Sequence, residues 1–192
     1  MDVAIWKEHI LHLKEILSKI SFSNSKGRQI QQDEGFKKWV RHSGEIRKEK
    51  KIIFLIGNGA SASMASHFAA DLGKNAQIHT QVFSDLSLIT AISNDLGFEN
   101  VFSEPLKRRG GKGDMLVAIS SSGKSPNIIK AVELANSMEI ITVTLSGMSP
   151  ENPLRKLGTT NIYVPGNTYG LVETAHATIL HYWMDLIAEK KN

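Results

Sequence analysis

Two short segments concentrate hydroxyl and backbone N–H donors where an anion could be held. Gly57-Asn58-Gly59-Ala60-Ser61 follows an apolar run and leads into a helical segment. Small residues let backbone N–H groups approach an anion closely, a helix N-terminus adds partial positive charge, and Ser61 adds a hydroxyl. The second segment, Ser120-Ser121-Ser122-Gly123-Lys124-Ser125-Pro126-Asn127, places four serines within six positions, again between an apolar run and a helix. Such neutral donors make a phosphate cradle that does not depend on arginine. Each segment also has a structural reading. Glycines are common at strand-to-helix turns, and Ser125 before Pro126 suits an N-cap followed by proline at the first helical position. That second reading accounts for Ser125 but not for the three serines before it. Lys124 either adds charge or points to solvent. The first segment is not a nucleotide motif: its GxGxxG is incomplete, and no Gly-Lys-Ser/Thr follows it to make a Walker loop. No nucleotide cofactor is expected.

The elements that must position these loops are legible as alternating texture. Short apolar runs at 51–56, 115–119, 140–145 and 161–164 read as buried parallel strands, with a further short strand near 81–83. Helical segments fall at 60–74, 86–96, 99–109, 125–138 and 170–189. The alternation predicts an α/β fold, a doubly wound parallel sheet with helices on both faces, whose ligands sit at the carboxyl ends of the strands. Ahead of it, residues 3–20 carry Ile5, Trp6, Ile10, Leu13, Ile16, Leu17 and Ile20 at helical spacing, residues 21–27 break the pattern, and a basic helix is predicted over 33–48. Residues 1–49 thus form an N-terminal helical segment packed on the core or in an oligomer interface, and 50–192 the main domain, one structural unit overall.

Composition narrows the function classes. The 192 residues are 41% hydrophobic and 22% charged, enough for one sizeable core, and no stretch approaches the ~20 apolar residues of a membrane span. The absence of cysteine removes disulfides, thiolate metal sites and cysteine nucleophiles together. The net charge of +4 is local: residues 37–51 hold seven Lys/Arg against two Glu, so the remainder is slightly acidic. That run reads as a solvated helix face, and neither nucleic acid nor a membrane is an expected partner. The Lys- and Glu-studded N-terminus lacks a signal-peptide core, which predicts a cytoplasmic location.

Taken together, GNGAS running into HFAADL, then SNDLGFENVFSE, then AISSSGKSPNI resembles the sugar isomerase (SIS) domain family, and within it the phosphoheptose isomerases. The resemblance covers residues 50–189 and extends loosely to the N-terminal helices. It implies a flavodoxin-like sheet, a homo-oligomer, a tetramer with active sites between subunits, a phosphorylated sugar as substrate, and commonly zinc. The implied reaction is isomerisation of sedoheptulose 7-phosphate to D-glycero-D-manno-heptose 7-phosphate. Carried over by position, the substrate and phosphate contacts are Asn58, Gly59, Ala60, Ser61, Asn94, Asp95, Ser120, Ser121, Ser122 and Ser125. The implied metal set is His67, Asp71, Glu173 and His181, of which Asp71, Glu173 and His181 are also the implied acid–base residues.

These types suit the chemistry. Aldose–ketose isomerisation moves a proton between adjacent carbons through an enediol, which needs a base that can return the proton and a group that stabilises the oxyanion. His67 and Asp71, four residues apart, share a helix face; Glu173 and His181, eight apart, differ by about 80° in azimuth and can face one cleft. His176, in an otherwise apolar helix, reads either as a satisfied buried histidine or as a further polar group of the cleft. His42 and His79 read as surface residues. The chain departs from the family pattern at Ala60 for glycine, Asp71 for glutamate and Glu173 for glutamine. Gly170 and Asn75 stand where aspartate and arginine are frequent. The alternatives to the heptose isomerase are a non-catalytic phosphosugar-binding regulator or protein-binding module, and a SIS enzyme acting on another sugar phosphate.

Overall fold

In the computed structural model residues 5–189 are described; positions 3 and 4 of the predicted first helix, and positions 190–192 at the end of the predicted main domain, lie outside them. Seven strands form one sheet, flanked by seven α-helices among the described residues. The strands are β1 Ser21–Asn24, β2 Gln29–Ile30, β3 Ile52–Gly57, β4 His79–Val82, β5 Met115–Ser120, β6 Ile141–Gly147 and β7 Thr160–Val164. The helices are α1 Trp6–Ser18, α2 Gln32–Lys48, α3 Ala60–Ala76, α4 Leu86–Leu96, α5 Ser103–Arg109, α6 Pro126–Ser137 and α7 Tyr169–Glu189.

The sheet order is β2-β1-β7-β6-β5-β3-β4, with β4, β3, β5, β6 and β7 mutually parallel. The order of strand addition reverses after β4: the chain steps from β3 outward to β4 and then returns to place β5 on the other side of β3, so the loops that follow β3 and β5 flank the crevice where α/β sheets bind ligands. Those are the two segments singled out above. Alternation along the strands divides the core. Ile53, Leu55, Val117 and Ile119 face α2, α3 and α7, whereas Phe54, Ile56, Leu116 and Ala118 face α5 and α6.

The sheet is not wholly parallel, and the break predicted over 21–27 is structured. Ser21–Asn24 pairs antiparallel with β7 on one side and with Gln29–Ile30 on the other. Only Phe22 is apolar in β1, too little alternation to announce a strand; its identity comes from its partner. Phe22 is fully buried against Phe36, with ring centroids 4.9 Å apart, and a Cβ at Gly35 would lie 2.3 Å from its ring.

The helix predicted over 99–109 is also divided: a 3-10 turn at Phe98–Asn100 precedes α5. Pro105 has no N–H to give the carbonyl of Val101, so the helix starts later, and the turn between buries Val101 and Phe102 side by side. In α1 the apolar stripe seats only at its C-terminal end, where Ile16 is buried, while Ile5, Trp6 and Ile10 are exposed. His79 is exposed as expected, but His42 is half-buried, its Nδ1 3.1 Å from the Glu45 carboxylate.

Candidate active site

At the end of β3 the backbone turns so tightly that a Cβ on Gly57 would lie 2.5 Å from the backbone of Ser61, and Gly59 has φ +55°. The turn aims the start of α3 at the crevice. Ala60 occupies the first helical position with ordinary geometry, so its extra methyl is accommodated. Across the crevice, Gly123 has φ +63° and lets the serine loop double back, its N–H donating to the Ser120 carbonyl at 3.0 Å. Asn58 and Asn127 join the two loops by exchanging side-chain amide hydrogen bonds, 3.0 Å each way.

Between the loops lies a cavity of about 260 Å³ lined by Asn58, Gly59, Ala60, Ser61, Ser120, Ser121, Ser122 and Ser125, with Ile119, Tyr169 and Glu173 completing the wall. Ser125 is the N-cap of α6, but its side chain makes no capping bond; Ser125 Oγ lies 3.3 Å from Ser120 Oγ. Ser121 is buried with its Oγ unpaired among the described residues, a donor at the cavity wall for which a bound oxyanion would supply the acceptor. Lys124 is exposed and does not line the cavity.

The residues that the resemblance implies for acid–base chemistry lie on α3 and α7, which begin together at this cavity. His67 Nε2 sits 3.4 Å from Asp71 Oδ2, and the His181 ring packs edge-on to His67 and Phe68, with centroids 5.6 and 4.7 Å apart. A rise of ~1.5 Å per residue puts His67 roughly 10 Å and Asp71 roughly 16 Å along α3 from its start. Glu173, one turn into α7, is the carboxylate at the cavity itself.

The sequence-derived set is therefore gathered in two places, the cradle with Glu173 and the seam with His67, Asp71 and His181. Asn94 and Asp95 are elsewhere: both are exposed on α4, their side chains are bonded to each other at 2.8 Å, and neither lines this cavity. Tyr169, which does line it, carried no motif; its only signal is its place at the head of the helix that follows the last strand. The four implied zinc ligands do not fit a metal within one chain, since among the described residues no three or more His, Asp or Glu side chains cluster closely enough to hold one.

His176 resolves to a buried residue. Its Nε2 donates to the Ser146 carbonyl at 3.3 Å, its Nδ1 is unpaired among the described residues, and complete burial pushes its pKa down to about 4, opposed in part by the Ser146 bond.

Comparison with known proteins agrees with this geometry. The SIS domain family matches residues 19–147. Phosphoheptose isomerase of Helicobacter pylori is 34% identical over 193 residues, spanning 97% of this chain and 95% of that protein. The Campylobacter jejuni enzyme of the same name is 34% identical over 170 residues, 83% of this chain and 90% of its own. Among solved structures, phosphoheptose isomerase from Neisseria gonorrhoeae superposes with TM-score 0.79 at 27% identity, covering 94% of this chain and 96% of that one. The one from Francisella tularensis gives 0.82 at 22% identity over 96% and 95%, a likeness of fold. With the family match across most of the chain and relatives above 30% identity along nearly its full length, the chain belongs to the SIS-domain family, in its phosphoheptose isomerase group.

Proposed function

We propose that this enzyme interconverts sedoheptulose 7-phosphate and D-glycero-D-manno-heptose 7-phosphate through an enediol. The observation that carries the reading is the joining of a charge-neutral cradle of serine hydroxyls and helix-start N–H groups to a carboxylate–imidazole seam along α3 and α7. The phosphate anchors at the cradle, and the sugar extends along the seam. A base removes a proton from C1 of the ketose as negative charge moves to the C2 oxygen. The proton is returned at C2, the O1 proton passes to O2, and C1 becomes the aldehyde, so nothing besides the substrate is consumed. Glu173 and Asp71 are the carboxylates able to carry that proton. His67 orients Asp71, and His181 is the imidazole available to exchange the hydroxyl protons. No step is assigned to zinc.

Turnover of sedoheptulose 7-phosphate by metal-stripped protein, with and without added zinc and with His181→Ala as control, tests the reading. Aldose formation lost in the variant supports it, with the zinc arm reporting whether a metal is needed. Phosphosugar binding without isomerisation under any condition would refute it and leave a sugar-phosphate sensor.

The homo-oligomer expected from the resemblance is supported by exposed apolar side chains on three helices: Trp6 on α1, Leu86 and Leu96 on α4, and Tyr182 on α7. No helix among the described residues is long and apolar enough to cross a membrane.

A further inference from the structure

Glu173 owes its place over the cradle to two contacts that bracket it on α7. One residue before it, Val172 packs against the end of β6 so closely that a Cβ on Gly147 would lie 2.5 Å from Val172 Cγ1 and 3.2 Å from the Ser121 carbonyl oxygen. Three residues after it, His176 donates its Nε2–H to the carbonyl of Ser146, which pairs in parallel register with Ser120 of the serine loop. The remaining buried residues nearby on the helix, Leu171, Ala175, Ile179 and Leu180, are apolar and fix no angular register by hydrogen bonding, and the buried Trp183 indole, which donates to Ser43 Oγ at 3.1 Å, ties the far half of α7 to α2 rather than to the sheet. The imidazole thus supplies a directional contact between the helix that carries Glu173 and the strand whose neighbour carries the cradle.

We infer that His176 is a positioning residue: as a neutral Nε2–H donor buried against β6, it sets the axial register of α7 and thereby holds the Glu173 carboxylate over the phosphate cradle. The inference rests on the isomerase reading for its kinetic readout. Its structural readout is independent of turnover.

The test compares His176→Leu, which fills the space without a donor, with His176→Gln, whose side-chain amide can reach the same carbonyl, and with Gly147→Ala, which pushes α7 away from β6 through Val172. Three quantities are read for each: kcat with sedoheptulose 7-phosphate, the affinity for inorganic phosphate by calorimetry, and the displacement of the Glu173 carboxyl ¹³C resonance when phosphate is added. The expected result is a fall in kcat of about 10- to 100-fold in His176→Leu and Gly147→Ala, as expected for misplacement on the order of 1 Å. Phosphate affinity stays within about twofold of wild type in both His176 variants, and falls further in Gly147→Ala, whose added Cβ also crowds the Ser121 carbonyl. The Glu173 resonance responds to phosphate in the wild type and His176→Gln, and loses most of that response in the other two. The inference is overturned if the resonance responds equally in all four proteins, if His176→Gln behaves as His176→Leu, or if kcat and phosphate affinity fall together with the folded fraction. A wild type that binds phosphate with the Glu173 response but turns over no ketose phosphate overturns the reaction and leaves the positioning role standing.

Discussion

Replacing Gly123 by alanine strikes the serine loop at its tightest point, and the cost can be worked from its surroundings. The residue has φ +63°, a left-handed conformation that costs a non-glycine residue roughly 1–2 kcal/mol. A Cβ there would lie 2.0 Å from Asn152 Oδ1 and 2.8 Å from Asn152 Cβ, so Asn152 must move. Asn152 is fully buried, donates from Nδ2 to the carbonyls of Ser149 at 2.8 Å and Gly147 at 3.2 Å, and accepts from the Arg155 N–H at 3.0 Å. Each such bond is worth about 1 kcal/mol net. Losing two or three of them on top of the backbone term gives a total of about 3–5 kcal/mol, a large share of the 5–15 kcal/mol that stabilises a typical domain. Urea unfolding of Gly123→Ala measures the total, and inorganic phosphate binding should weaken in the fraction that folds, because the loop that presents Ser121 and Ser122 is displaced. The same substitution made in an Asn152→Gly background should cost only the backbone term, since the obstructing side chain is gone. A loss below about 1 kcal/mol in the wild-type background, or equal losses in the two backgrounds, would refute the reasoning.

The protonation of His176 gives stability a pH dependence. Its pKa falls from an ordinary 6.5 to about 4 on folding, so its contribution is fully present above pH 6.5 and is lost as pH falls toward 4, amounting to about 3 kcal/mol. Chemical unfolding across that range should show the slope in the wild type and a shallower one in His176→Gln; matching slopes would count against it. Asp71→Asn keeps the shape of the seam but removes one of the two carboxylates proposed to carry the proton, so kcat with sedoheptulose 7-phosphate should drop by about 100-fold or more while inorganic phosphate binds as before. Steady-state kinetics beside calorimetry separates the two. Tyr169→Ala opens the cavity wall without touching the cradle. It should raise KM for the phosphosugar several-fold more than it weakens inorganic phosphate, and equal effects on both ligands would remove Tyr169 from sugar recognition.

How much of this was readable in the chain depended on whether the signal was local. The strands β3 and β5 are nearly continuous apolar runs because both sheet faces are covered, β6 and β7 mix apolar residues with buried threonine, serine and asparagine, and the ends of all four fall within one or two residues of expectation. The cradle was equally legible, since small residues and hydroxyls after an apolar run carry their geometry with them. What stayed hidden is what depends on distant partners. Ser21–Asn24 is a strand only because β7 lies beside it. Tyr169 belongs to the site only because α7 begins at the same edge as α3. The burial of His176 depends on a partner 30 residues away, the Ser146 carbonyl, which its local pattern does not reveal. The resemblance located His67, Asp71 and His181, which the fold brings together, and also Asn94 and Asp95, which it leaves on the outer surface of α4.

The antiparallel pairing of β1 with β7 imposes an order of events on folding. Ser21 and Asn24 leave the ribosome early, yet their partners Tyr163 and Thr160 are made roughly 140 residues later, in the last of the parallel strands. Closing so long a loop offers no early return, because the parallel sheet must be assembled before an edge exists for the strand to join. The first strand made is therefore the last to dock. Until it does, β7 presents an unpaired edge to which another nascent chain can add, so crowded synthesis is the condition under which this fold is most exposed to misassembly.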